Sequence, residues 1–459
     1  MKIKKYQKLT KSSSLVSFLL VVWFGVNWSW VLFTDSAKLA GSKQVGVIVS
    51  IGIFALVVTI SVLLCRKFFA VAKSIIRRHR SYVAMALLVP LFALLDVLIS
   101  WFTTIIWLGP QGSLDNITPV GSPALLLMHT PFKFAARIVG FFGLSALVWT
   151  ALYMISNKKL RNLLPYFLLV IFVITGLGWG IYRQPTGEQY KVVAVNETLG
   201  KSIGTFSAED AKLVVFPEYG FDDIPDKNIG SRIKETNNKV SFIGSKQIFR
   251  SDITGHINRM YVGNTKEGVI NTQDKHRLIP NGEDASYAGR FLLHVTGQKT
   301  ALDYFSLTRQ VIKGKEPLKP VTIDTNVLGS GICSSITAPQ DYRKLTKAGA
   351  TILTNSASLD IFNGSSVFAW QQKSLAMFMA VSNTRPFVQS ANNSESFIMD
   401  ANGKILAETK NPGVLRASVL PNTRRTLYTL TGEWLVIIGL GVVAFELGKG
   451  LKKKKIGVT

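Results

Sequence analysis

Apolar residues fall into two kinds of pattern along this chain. Up to about residue 183 they run in long unbroken stretches, and one more such stretch lies at 431–448. Between the two, apolar and polar residues alternate over short runs broken by turn formers. A run of about 20 apolar residues is long enough to cross a bilayer as a helix. Alternation with period two is instead the mark of a strand. The chain therefore reads as three parts: a membrane domain of five or more helices at 1–183, a soluble domain at 184–428, and a C-terminal transmembrane helix with a basic tail at 429–459.

The first five stretches are 14–33, 46–64, 82–107, 123–154 and 163–182. Pro131 divides the fourth, which predicts an interfacial or re-entrant piece at 123–136 before a helix at 137–155. The connecting segments differ in charge. MKIKKYQKLTK at the start, RKFFAVAKSIIRRHR after the second stretch, NKKLRN after the fourth and GKGLKKKKIGVT at the end are basic. TDSAKLAGSKQ and GPQGSLDNITPVGS carry little positive charge. Basic segments stay on the cytoplasmic side, so both termini are expected inside and residues 184–430 outside the cytoplasm.

In the soluble part YKVVAVNE, KLVVFPEYG, KVSFIGSKQI, RMYVGN and GVINT predict strands, followed by VTIDT and VLGSGIC. APQDYRKLTKAG has helical spacing and stops at glycine. ATILTNS predicts a strand and FAWQQKSLAMFMAVSNT a long helix ending before Arg385-Pro386; FVQSANN and SFIMDANGKILAE close the series. Asn402-Gly403 suits a type I′ hairpin turn. Strands mixed with helices predict an α/β sandwich.

Composition narrows the function. The 459 residues carry 53 Lys+Arg against 27 Asp+Glu, a formal net charge of +26. No nucleic-acid motif accompanies that charge, much of which flanks the apolar stretches, so an anionic lipid surface is the expected partner and nucleic acid is not. Two cysteines, Cys65 and Cys333, make no disulfide framework, and the topology puts them on opposite sides of the membrane. The five histidines are scattered without ligand spacing, so no metal site is expected. No G-x-S-x-G elbow and no P-loop is present.

Three charges lie within the apolar stretches: Asp96, Lys133 and Arg137. Charge in lipid is costly unless paired or wet. An Asp96–Arg137 pair between helices is one reading, and a share for Arg137 in holding a lipid headgroup is the other. Lys133 is expected to reach back to the interface.

Four residues of the soluble part have chemistry to offer. Glu218 closes LVVFPE, and a carboxylate at the carboxyl end of a buried strand, flanked by Phe216, Pro217 and Tyr219, suits a desolvated general base; a surface turn glutamate is the plain alternative. Lys275 in QDKHRLIPNGE could oppose a developing oxyanion or simply face water. Glu283 follows a Pro-Asn-Gly turn that could fold it back toward Lys275. Cys333 ends a strand just before helix-start signals, where a thiol is exposed to free backbone N–H groups, or it is an inert buried cysteine. Residues 284–300 read either as an amphipathic lid dipping Phe291, Leu292 and Leu293 into lipid or as ordinary core.

Glu in FPE, Lys in K-H-R-L-I-P-x-G-E and then Cys after an apolar strand is an order that resembles the nitrilase (carbon-nitrogen hydrolase) superfamily. Spans on both sides of such a domain resemble its membrane branch, the apolipoprotein N-acyltransferases. RIVGFFGLSALVW, TNSASLDIF and QQKSLAMFMAVSNTRPFVQSANNSESFIMDANGKILAE support the likeness. The resemblance implies an α-β-β-α sandwich, with Glu218 as general base, Lys275 as oxyanion stabiliser, Glu283 as supporting carboxylate and Cys333 as nucleophile. It implies ping-pong acyl transfer through a Cys333 thioester, from a phospholipid to the N-terminal amine of a diacylated lipoprotein. Ser334, Tyr219 and Arg137 are the candidates to touch substrate. No cofactor is implied, and a monomer in a bacterial plasma membrane is expected. The chain departs from the family pattern where Ser334-Ser335 replace Tyr-Glu, where Asp284 follows Gly282-Glu283, at Asn281, and in having fewer than seven spans before the domain. A membrane-anchored nitrilase-type amidase, or a divergent member with another acceptor or no activity, are the alternatives.

Overall fold

A computed structural model describes residues 16–34, 43–115, 117–183, 187–196, 211–236, 239–362 and 364–456. The basic segment 1–11, most of the first connection, the boundary at 184 and the last residues of the tail lie outside the described residues.

Among the described residues, five helices are long and apolar enough to cross a membrane: Val16–Phe33, Gly46–Arg78, Ser81–Ile106, Pro131–Ser156 and Leu164–Ile181. Their outward faces carry Phe18, Leu169, Phe172 and Trp179, each more than half exposed. A helix of a soluble protein would be polar there. The second helix is longer than its apolar run predicts. It continues to Arg78, so only His79 and Arg80 form the turn, because Ala72, Ile75 and Ile76 keep helical spacing and are buried in the bundle. Cys65 is consequently buried within the helix.

The division at Pro131 is present. A short turn at Ala124–Leu127 and a 3-10 turn at Pro131–Ala135 precede the helix Ala136–Ser156. That helix breaks at Gly140, where φ is +74° and a Cβ would lie 2.6 Å from Glu433 Oε2. The freed Phe141 and Phe142 N–H groups donate to the Glu433 carboxylate at 2.9 and 3.0 Å, and Trp434 Nε1 donates to Ile138 O at 2.9 Å. A kink is tolerated when its orphaned backbone groups find partners. Trp434 opens the C-terminal helix Trp434–Ile456, whose apolar portion, Trp434–Glu446, is shorter than the five spans. Glu446 bonds Arg78 and His79 at 2.9 and 3.0 Å.

The intramembrane charges do not pair as expected. Asp96 accepts from Ser122 Oγ at 2.6 Å. Arg137 is fully buried and spends its guanidinium donors on Val381 O, Gly178 O, Tyr182 O, Ala401 O and Asn402 Oδ1, at 2.7–3.2 Å. A guanidinium has five N–H donors, so none is left for a headgroup, and both earlier readings of Arg137 give way to a latch between the spans and the soluble domain.

Among the described residues, the domain that follows holds twelve strands: β1 (Tyr190–Asn196), β2 (Leu213–Val215), β3 (Ser241–Phe249), β4 (His256–Asn264), β5 (Gly268–Asp274), β6 (Val321–Ile323), β7 (Asn326–Ile332), β8 (Ile352–Ser358), β9 (Phe387–Asn392), β10 (Ser396–Met399), β11 (Ile405–Thr409) and β12 (Gly413–Val419). They form two sheets of six, ordered β12-β1-β2-β3-β4-β5 and β11-β10-β9-β8-β7-β6. Period-two alternation builds the layers. Val192 and Ala194 of β1, Leu213 and Val215 of β2, and Leu328 and Ile332 of β7 meet between the sheets. Val193, Val195 and Val214 face outward onto Ile229 and Ile233 of the helix Ile229–Lys234. Over the other sheet lie the helices Pro339–Lys347 and Ser366–Asn383, whose Tyr342, Leu345, Leu375 and Phe378 merge with the core of the spans. The fold is thus the nitrilase-like α/β arrangement with two sheets. β12, which pairs antiparallel with β1, goes unpredicted. The β10–β11 turn is also different: only Gly403 of its central pair has positive φ, and Gly403 N donates to Asp400 O at 3.0 Å. That is a type I turn closed by a left-handed glycine rather than type I′.

Candidate active site

The carboxyl ends of β2 and β7, one from each sheet, bring Glu218 and Cys333 to one place. Pro217 stops β2, and Tyr219 turns the chain with φ of +66°. Glu218 N donates to Ala357 O at 3.2 Å and its carbonyl accepts from Asn392 Nδ2 at 2.7 Å, so the second sheet holds the backbone of a residue from the first. Lys275 directly follows the edge strand β5; its N–H donates to Asn258 O and its carbonyl accepts from Gly314 N, both at 2.8 Å. The Pro-Asn-Gly turn does fold Glu283 back. Asn281 is left-handed with φ of +57°, Glu283 N donates to Ile279 O at 2.8 Å, and Ile279 N donates to Glu283 Oε2 at 2.8 Å.

The charged groups meet at Lys275. Its Nζ donates to Glu218 Oε1 at 2.9 Å and to Glu283 Oε1 at 2.5 Å, and all three residues are buried. Asn258 Nδ2 donates to the same Glu218 Oε1 at 2.5 Å. Burial raises the Glu218 pKa above its ordinary value; Lys275 pulls it back and the charge of Glu283 adds to the rise. Burial alone would lower the Lys275 pKa, but the acidic groups around it, Cys333, Glu218 and Glu283, raise it well above the lysine range. Its surroundings thus favour the charged ammonium.

Cys333 takes a left-handed conformation, φ +44°, at the start of the 3-10 turn Cys333–Thr337. Such backbone is uncommon outside glycine and occurs at functional turns. Ile332 N donates to Ser335 Oγ at 3.3 Å, Asn355 Nδ2 to Cys333 O at 3.3 Å, and the thiol donates to Ser358 O at 3.2 Å. Burial, and next the charge of Glu218, push the thiol well above its ordinary pKa. It rests as a thiol, under the influence of the Glu218 carboxylate. The Tyr219 phenol is raised by burial and then by Glu218, which sets it beside the same group.

A cavity of about 140 Å³ opens at Cys333. Cys333, Ser334 and Arg277 line it together with Trp28, Ile53 and Trp107 from the part of the chain that holds the long apolar helices. Ser334 Oγ donates to Arg277 O, fixing it in the wall. Among the described residues no group of His, Cys, Asp and Glu is placed to hold a metal ion.

Glu218, Lys275, Glu283 and Cys333 thus come together, with Tyr219 and Ser334 alongside, whereas Arg137 is elsewhere. Asn258, Asn355 and Asn392 go unread in the sequence. Asn258 had one signal: it shares the inward parity of Met260 and Val262 on β4, a polar side chain at a core position.

Residues 240–425 match the carbon-nitrogen hydrolase family. The chain is 25% identical over 359 residues to the apolipoprotein N-acyltransferase of Shewanella oneidensis, covering 68% of this chain and 66% of that one. It is also 25% identical over 394 residues to the protein of that name from Geobacter metallireducens, covering 74% of this chain and 72% of that one. The chain thus spans about two thirds of the length of the Shewanella relative. An amidase of the nitrilase superfamily from Nesterenkonia AN1 is 13% identical, with a TM-score of 0.37, covering 54% of this chain and 95% of that one. The resemblance to apolipoprotein N-acyltransferases, the membrane branch of the nitrilase superfamily, is borne out.

Proposed function

We propose that the chain is a membrane acyltransferase that moves an acyl chain from a phospholipid to the N-terminal amine of a diacylated lipoprotein, with residues 184–428 as its catalytic domain on the outer side of a bacterial plasma membrane and both termini inside. One observation carries this reading: Cys333 lines a cavity that it shares with residues of the apolar helices, and the same domain holds the buried Glu218–Lys275–Glu283 network. A lipid ester reaches such a place more readily than a water-soluble amide does.

In the reaction, Glu218 accepts the thiol proton as Cys333 Sγ attacks the ester carbonyl carbon. The negative charge that develops on the carbonyl oxygen is opposed by Lys275, whose ammonium is already oriented by two carboxylates and needs no rearrangement. The carbon–oxygen bond to glycerol breaks, Glu218 returns the proton to the leaving oxygen, and a lysophospholipid departs from a Cys333 thioester. The acceptor amine then attacks the thioester carbon, the carbon–sulfur bond breaks, and the amine proton passes through Glu218 to the thiolate. Tyr219 and Ser334, beside base and nucleophile, contact the substrates.

The test is an assay of the protein in phospholipid vesicles with a labelled acyl chain and a diacylated lipopeptide bearing a free α-amine. The labelled amide is expected. Release of free fatty acid at the same rate with and without the amine would replace this reading with a hydrolytic, amidase-like one.

A further inference from the structure

The soluble domain carries an apolar surface that the reaction does not use. After the cavity wall at Asn281 and Asp284, the chain forms two short helices, Tyr287–Val295 and Lys299–Thr308. The first divides its faces three ways. Leu293 packs with Ala285 and Phe305 in a small core of its own. Leu292 packs against the hydrophobic cluster that runs through the membrane helices. Tyr287, Phe291 and Val295, spaced four apart on a third face, are 56%, 65% and 58% exposed. The second helix adds Tyr304 at 59% and Leu307 at 67%. The sequence left a lipid-dipping lid and ordinary core as alternatives; Leu293 takes a core place, whereas Phe291 faces outward.

Position says what covers the outward face. Tyr287 N donates to Leu108 O at 2.8 Å, two residues beyond the end of the helix Ser81–Ile106. The first of the two helices therefore starts at the level where a membrane span ends. Its exposed stripe directly adjoins the Leu292 face that packs against the spans, so the apolar surface of the bundle continues onto it. Two tyrosines sit among the exposed residues, and Arg290, Lys299 and Arg309 stand against one acid, Asp303. Amphipathic aromatic rings and basic residues around an apolar stripe are the composition of a helix that lies at a membrane surface.

We propose that the helical hairpin 287–308 lies in the interfacial layer of the bilayer on the soluble-domain side, as a second, non-spanning lipid contact that holds the cavity mouth at the depth of the lipid ester groups. The contact does not depend on the reaction proposed above. A fluorescent environment-sensitive label on Phe291→Cys, and separately on Leu307→Cys, tests it in the full-length protein reconstituted into phospholipid vesicles. Both native cysteines are buried, and the unsubstituted protein supplies the labelling background. Lipids bearing a nitroxide at carbonyl depth are expected to quench the label at least twofold, while iodide in the water leaves it bright. Quenching by iodide but not by nitroxide lipid would overturn the proposal. Shielding from both would assign the stripe to a protein partner and overturn it equally. Because neither readout needs acyl transfer, an inactive preparation leaves the test intact.

Discussion

Lys275 Nζ lies 2.9 Å from Glu218 Oε1, and neither side chain is more than 1% exposed. Removing one partner of a buried ion pair leaves the other charge without compensation. Here Lys275 serves two carboxylates, so Lys275→Met is expected to destabilise the protein by about 3–5 kcal/mol and to slow acyl-enzyme formation by roughly 10²–10³-fold. Thermal unfolding in detergent and single-turnover acylation check the two effects. Adding Glu218→Gln should recover part of the stability and none of the rate, since the two residues share one network.

Asn258 Nδ2 and Lys275 Nζ converge on the same oxygen of Glu218. A hydrogen bond to a carboxylate favours its ionised form. Asn258→Leu should therefore move the acid limb of the acylation rate to higher pH, in addition to lowering the plateau. A purely structural role for Asn258 would lower the rate without moving the limb.

The pH profile of the unsubstituted protein follows from the same groups. Glu218 must be ionised to take the thiol proton, and burial raises its pKa. Acylation should then rise with pH through a midpoint above the ordinary glutamate value of about 4.3. Lys275, raised well above its ordinary value, stays charged and contributes no falling limb near neutrality. A rate that is flat from pH 4 upward, on the order of that ordinary value, would remove Glu218 as the base.

Arg137 bonds five acceptors across the junction between membrane and soluble parts. Arg137→Met should cost about 2–5 kcal/mol through the carbonyls it orphans. The KM for phospholipid should stay unchanged in the folded fraction. A KM effect without loss of stability would restore a headgroup role.

Much of this was legible in the sequence because it depends on local pattern. The spans show as apolar runs, most strands as alternation, and the break at Pro131 follows from the ring's fixed geometry. Glu218 and Cys333 were legible because each ends a buried strand, and Glu283 because a Pro-Asn-Gly turn reverses the chain. What stayed hidden depends on distant partners. The role of Arg137 rests on carbonyls from residues 178 to 401, which no spacing reveals. The Gly140 kink is stable only because Glu433, nearly 300 residues on, caps it. β12 is a short half-exposed strand whose place is set by β1.

The central claim is that Cys333 carries the acyl chain. Intact-mass measurement after incubation with phospholipid, in the absence of any amine acceptor, tests it most directly. The account predicts a mass increase of one acyl group that hydroxylamine removes and Cys333→Ala abolishes. No adduct with any phospholipid, or an adduct that survives Cys333→Ala, would contradict it.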